Sequence, residues 1–174
     1  MPATIRLANG FTLPEMLVML ALVAVLLTAA VPGFSEIRSK SRIATATNQL
    51  LAGLHFARSG ALVRNVPTAV CLSADGAHCV ASTTTPANGW LLFEDTHRSS
   101  PVQIEAGDEV LRAEQLPPGV GVVGSRAATT FYPATRAATT ITFTLCHAHQ
   151  SRGRAVVVSQ TGRPRVTEDV ACAS

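Results

Sequence analysis

Gly162-Arg163-Pro164-Arg165 is the segment of this chain whose chemistry is best defined by residue type and spacing. In an extended backbone, residues two apart point to one face, so Arg163 and Arg165 project side by side from Cα atoms about 6–7 Å apart. That interval is comparable to the step between successive phosphates of a nucleic-acid strand. Each guanidinium grips a phosphate through parallel N–H donors, a geometry that lysine lacks. Pro164 cannot donate to a β ladder, which puts the pair on a sheet edge or in a loop. Gly162 lets another backbone approach closely. The same residues would also serve the plainer purpose of a charged edge that blocks sheet-to-sheet aggregation. Arg152 and Arg154, upstream of the Thr161-Gly162 turn, would extend a basic patch across the hairpin.

Catalytic and metal chemistry have little footing. Cys146-His147-Ala148-His149 brings ligand types together, but no cysteine pair has C-x-x-C spacing, and Cys146 is better accounted for by a disulfide. His55 falls in a helical pattern, and His78 and His97 fall in loops. No serine, histidine and acid occur in a nucleophile-elbow setting. Pro118-Gly119-Val120-Gly121 does not open a helix, so it is not a phosphate loop. The expectation is a non-enzyme with no catalytic residue, no metal and no cofactor. Trp90 reads as a core residue entering an apolar strand, with a base-stacking platform as the alternative.

The elements that must position these residues follow from hydrophobic patterning. Met16 to Val31 is apolar except for Thr28. As a helix, Phe11–Val31 spans about 31 Å, one hydrocarbon core. Glu15 sits near its start, where an unpaired acid at bilayer depth costs on the order of a few kcal/mol. An anchored helix must therefore find this carboxylate a partner. Pro32-Gly33 is expected to interrupt or kink the helix. Beyond it Ile43, Thr47, Leu50, Leu54, Ala57 and Ala61 keep three-to-four spacing, the stripe of a helix docked on a domain. The helix should end near Asn65-Val66-Pro67.

After Pro67 the signals turn to β. Thr68–Leu72, Gly89–Glu94, Val102–Ile104, Val120–Val123, Thr129–Tyr132, Thr139–Cys146 and Arg154–Gln160 are short and rich in β-branched or aromatic residues, with turn residues between them. Leu72–Asn88 and Thr96–Gly107 read as loops. One long helix followed by antiparallel strands makes an α+β fold. The expected organisation is a leader over 1–10, a transmembrane and assembly helix over 11–32, an amphipathic helix over 33–66 and a β domain over 67–174.

The formal net charge is only +3 and by itself points to no partner. The charges are segregated, however: Glu94, Asp95, Glu105, Asp108, Glu109 and Glu114 crowd one stretch, while the arginines gather near the C-terminus. Cys71, Cys79, Cys146 and Cys172 lie beyond the apolar segment, an even number that suggests two disulfides in an oxidising compartment such as the periplasm. Three connectivities are possible. The Asp75-Gly76 turn favours Cys71–Cys79, leaving Cys146–Cys172 to tie down the C-terminus. Chain entropy assigns these loops about 2.6 and 3.5 kcal/mol.

Gly10-Phe11-Thr12-Leu13-Pro14-Glu15 before an apolar run resembles the type III signal of type IV pilins and pseudopilins. The resemblance implies that a prepilin peptidase cuts after Gly10 and methylates Phe11, and that Glu15 is the glutamate used in filament assembly. The rest of the chain resembles the FimT/GspH branch. That likeness rests on Ala57-Arg58-Ser59 with Ala61, Arg64-Asn65, Val70-Cys71-Leu72, Gly89-Trp90-Leu91-Leu92-Phe93, and Val156-Val157-Val158-Ser159 before Gly162-Arg163. Gly60 departs from it, standing where many relatives carry an acid. FimT-type minor pilins of naturally transformable bacteria carry a GRxR motif used to bind DNA during uptake, and Gly162-Arg163-Pro164-Arg165 matches it. The resemblance implies a type IV pilin-like fold and four partners: DNA, other pilin subunits, prepilin peptidase and, before assembly, the inner membrane. It places the C-terminal domain in the periplasm, then in a filament. The same leader and helix also suit pseudopilin H of type II secretion, or a pilus-priming minor pilin without a DNA role.

Overall fold

The computed structural model describes residues 11–134, 137–148 and 150–172, with the backbone alone over 27–33. Gly10, the expected cleavage position, lies outside the described residues; Phe11 is the first of them and is exposed. The chain divides into two units, Met1–Arg38 and Ser39–Ser174.

Helix α1 runs from Leu13 to Arg64. Its backbone continues through Pro32-Gly33, so the expected interruption does not occur. Phe11–Leu26 is exposed throughout, Glu15 included. Among the described residues no helix is long and apolar enough to cross a membrane. The helix stops where expected, and for a physical reason: Asn65 takes a left-handed conformation (φ 57°), a common way to end a helix, and Pro67 follows two residues later. Arg64 in the last turn bonds Glu94 at 2.6 Å.

Within the second unit, α1 buries the stripe seen in the sequence. Ile43, Thr47, Leu50, Leu54, Ala57 and Ala61 are all buried, and Ala46 joins them. Two four-stranded antiparallel sheets share the resulting core. The first has the order β3-β2-β1-β5, built from β1 (Thr68–Ser73), β2 (Gly89–Glu94), β3 (Val110–Gln115) and β5 (Ala128–Phe131). The second has the order β4-β6-β7-β8, built from β4 (Val120–Gly124), β6 (Ile141–His147), β7 (Arg152–Val158) and β8 (Pro164–Ala171). Strand β6 keeps strict alternation, with Ile141, Phe143 and Leu145 buried and the threonines between them half-buried. A smaller cluster lies on the opposite face of the first sheet, where Ala69, Cys71, Leu91 and Phe93 are covered by Val102 and Ile104. Val102–Ile104 packs there without forming the expected strand. β3 occupies the edge instead, in a charged segment with no buried residue.

Both disulfides form as favoured, Cys71–Cys79 and Cys146–Cys172. The first closes the loop after β1. The second joins the end of β8 to β6. Trp90 is buried, and α1 lies so close that a Cβ on Gly53 would sit 2.4 Å from the indole. Trp90 is therefore core, not a stacking platform.

Candidate nucleic-acid interface

Strands β7 and β8 pair in antiparallel register from Arg152↔Ala171 to Val158↔Pro164, and Ser159–Arg163 makes the turn between them. Gly162 has a positive φ of 69° and donates its N–H to the Ser159 carbonyl at 2.8 Å, a conformation that a Cβ would strain. The Ser159 N–H donates to the Arg163 carbonyl, and the Ser159 hydroxyl accepts the Arg163 N–H. The turn is thus fixed at its base while the Arg163 side chain stays exposed.

Arg165 is exposed as well and lies opposite Val157. Val156 and Val158 face the core with α1, so Val157 and Arg165 share the outer face of the sheet. No described residue forms an ion pair with Arg163 or Arg165. Pro164 begins the edge strand β8, as the missing N–H requires.

Arg152 and Arg154 are placed differently. Arg154 lies four residues down β7 from Val158, about 13 Å from the turn, and Arg152 lies further still. Each meets an acid on β8: Arg154 contacts Glu168 at 2.9 Å and Arg152 contacts Asp169 at 3.1 Å. These exposed pairs add little stability. They do cancel two positive charges, so the far end of the hairpin is close to neutral and its tip is basic.

One residue at the tip was not read from the sequence. A Cβ on Gly162 would lie 3.5 Å from the Arg58 Nε and 3.4 Å from Phe131, which brings the helix side chain Arg58 against the turn. The available signal was its place between Ala57 and Ala61, both on the buried stripe. Cys146 is in its disulfide and His147 is buried, while His149 lies outside the described residues; the Cys-His-Ala-His run therefore loses its thiolate as a ligand.

The sequence pattern of the family described as type II transport protein GspH matches residues 46–162, which run from the docked half of α1 to the hairpin turn. The chain belongs to the GspH family. Its fold is that of the type IV minor pilin FimU of Pseudomonas aeruginosa, seen in two crystal forms. One matches with a TM-score of 0.52 and 19% identity, covering 74% of this chain and 98% of FimU. The other gives 0.54 and 18%, covering 80% and 99%. The minor pseudopilin EpsH of the Vibrio cholerae type 2 secretion system matches with a TM-score of 0.52 and 9% identity, covering 73% of this chain and 97% of EpsH. No curated protein matches at the sequence level. This GspH-family chain therefore has the type IV pilin-like fold expected of it, a long N-terminal helix packed on antiparallel sheet, and stands with minor pilins and pseudopilins.

Proposed function

We propose that this chain is a minor pilin of a type IV pilus whose globular domain binds DNA through Arg163 and Arg165. The observation that carries the reading is the hairpin tip: two exposed guanidinium groups two residues apart, free of acidic partners among the described residues, on a turn held by backbone hydrogen bonds. The neighbouring arginines of the same hairpin are neutralised by Glu168 and Asp169, so the tip is its phosphate-facing part. Binding is independent of base sequence, because phosphate contacts supply the affinity and carry no sequence information. The chain performs no catalysis.

Assembly uses the other end. The exposed apolar side chains from Phe11 to Leu26 suit a lipid or helix-bundle environment. In this reading the inner membrane holds the helix before a prepilin peptidase cuts after Gly10 and methylates Phe11. Glu15 then pairs with the N-terminus of a neighbouring subunit. A role as pseudopilin H in type II secretion is the second reading, favoured by the family pattern and by the fold of EpsH.

The test is duplex-DNA binding by the full chain in detergent, titrated with salt. Two phosphate contacts give a log–log slope near −1.8, or about a twelvefold loss of affinity between 50 and 200 mM salt. Arg163→Ala/Arg165→Ala should remove that binding with circular dichroism unchanged. Absence of binding at low salt, or binding indifferent to the double substitution, would overturn the DNA reading in favour of the secretion pseudopilin.

A further inference from the structure

A second basic feature lies, like Arg165, on a sheet face turned away from α1. Between the 98–103 loop and β5 is a cleft of about 390 Å³, lined among others by Arg98, Ser100, Gln103, Arg126, Thr130 and Tyr132. That volume falls in the range of small-molecule sites, roughly 300–1,000 Å³. Thr130 pairs with Ala69, whose cluster lies on the face of the first sheet turned away from α1. The cleft thus opens on the outer side, as Arg165 does.

Arg98 and Arg126 are exposed, and neither has an ion-pair partner among the described residues. No carboxylate lines the cleft among them. The acids of the neighbouring loop are engaged elsewhere. Asp95 is buried and accepts the Ser99 N–H, and Asp108 accepts hydrogen bonds from Thr96 and the Glu105 N–H. His97 approaches Asp108 and Glu105 at 3.3 and 3.8 Å. Arg98 itself is held at a φ of 53°, a conformation ordinary side chains adopt rarely.

The strand register connects the two basic features. Arg165 lies beside Val157 and Val157 beside Thr142. Thr142 in turn exchanges hydrogen bonds with Ser125, at 2.9 and 3.0 Å. Three strand spacings amount to about 14 Å, the span of a few nucleotides, and Arg126 is the next residue.

We propose that this cleft is a nucleotide subsite, taking one unpaired nucleotide of a single-stranded DNA whose backbone crosses the outer face of β8, β7 and β6 from Arg163 and Arg165. This deepens the DNA reading above and rests on it. Arg98 and Arg126 hold the phosphate, the hydroxyls and Gln103 supply polar contacts, and Tyr132, 37% exposed, offers an aromatic face to the base. A closed duplex cannot enter such a concavity without extruding a base, so the cleft favours single strands and frayed ends.

The experiment measures anisotropy of a labelled mixed-sequence single-stranded oligonucleotide and of a closed duplex dumbbell, with the full chain in detergent. Arg98→Ala/Arg126→Ala should weaken single-strand binding roughly five- to tenfold at 50 mM salt, lower the slope by about 0.7 for the one phosphate they hold, and leave the dumbbell unaffected. Tyr132→Ala should weaken single-strand binding without changing the slope. Arg163→Ala/Arg165→Ala should remove dumbbell binding and weaken single-strand binding. If only that last variant loses binding, the subsite is refuted and the hairpin reading survives. If wild type binds neither ligand, both fall. If the cleft variants lose binding to polyglutamate but keep the single strand, the cleft serves an acidic protein partner and the proposal is overturned.

Discussion

Two glycines of α1 should respond to the same substitution with opposite sign. Gly53 faces Trp90: an added Cβ would come within 2.4 Å of the indole Cη2, 2.8 Å of Cζ3 and 3.1 Å of Cζ2. The indole is 1% exposed and walled by the core, so relief requires repacking. Overpacking of this kind costs about 1–3 kcal/mol. Alanine in a helix interior returns about 1 kcal/mol relative to glycine. Gly53→Ala should therefore be destabilising by up to about 2 kcal/mol. Gly60 has no atom within 4 Å of its added Cβ, so Gly60→Ala collects the helix gain alone, up to about 1 kcal/mol. For a domain of this size each kcal/mol moves the melting temperature by roughly 3–5 °C. The assay is denaturant unfolding of the full chain in detergent, followed by fluorescence of Trp90, the one tryptophan. Gly53→Ala should also shift the native emission, because the fluorophore is itself the crowded group. Equal stabilisation by both substitutions, with unchanged emission, would refute the packing argument.

Further outcomes follow from the loop after β1 and from the disulfides. Asp75 accepts hydrogen bonds from the His78 ring and from the Ala77 and His78 N–H groups, which hold its carboxyl well below the usual range. A depressed folded-state pKa gives stability that is present above the unfolded value, about 3.9, and is lost as pH falls through the folded one. The stability difference between wild type and Asp75→Asn should accordingly be constant above about pH 5 and shrink in acid; a pH-independent difference would exclude the linkage. Replacing Cys146 and Cys172 with alanine should cost about 3–4 kcal/mol in denaturant melts, against about 2–3 kcal/mol for the Cys71–Cys79 pair, since the closed loop is longer. The reverse ranking would count against the loop-length argument.

Much of the fold is legible in the sequence because burial repeats with a period. The docked half of α1 shows its three-to-four spacing, and β6 shows its alternation. β3 is the informative failure. It is a charged edge strand with no buried residue, so Val110–Gln115 carries no clean alternating pattern, and only pairing with β2 reveals it. Val102–Ile104 misled for the converse reason, since apolar residues can cover a sheet without joining its ladder. The Gly162 turn was readable from local chemistry. The pairing of Arg152 and Arg154 with Asp169 and Glu168 was not, because it depends on a cross-strand register that shifts at Gly153/Arg154. Arg98 and Arg126 are remote in sequence and meet only through the packing of a loop against β5.

The bridge between Cys146 and Cys172 has a mechanical consequence. A load hung on the turn at Gly162 is shared by both arms of the hairpin, because the turn joins β7 to β8 and pulling on it does not draw the two strands apart. Along β7 the tension passes into its ladder with β6; along β8 it runs to Cys172, where the covalent link delivers it to β6 as well, a strand held between β4 and β7. Both arms of the hairpin therefore end on the same interior strand, and the edge strand cannot be stripped past Cys172 without loading β6.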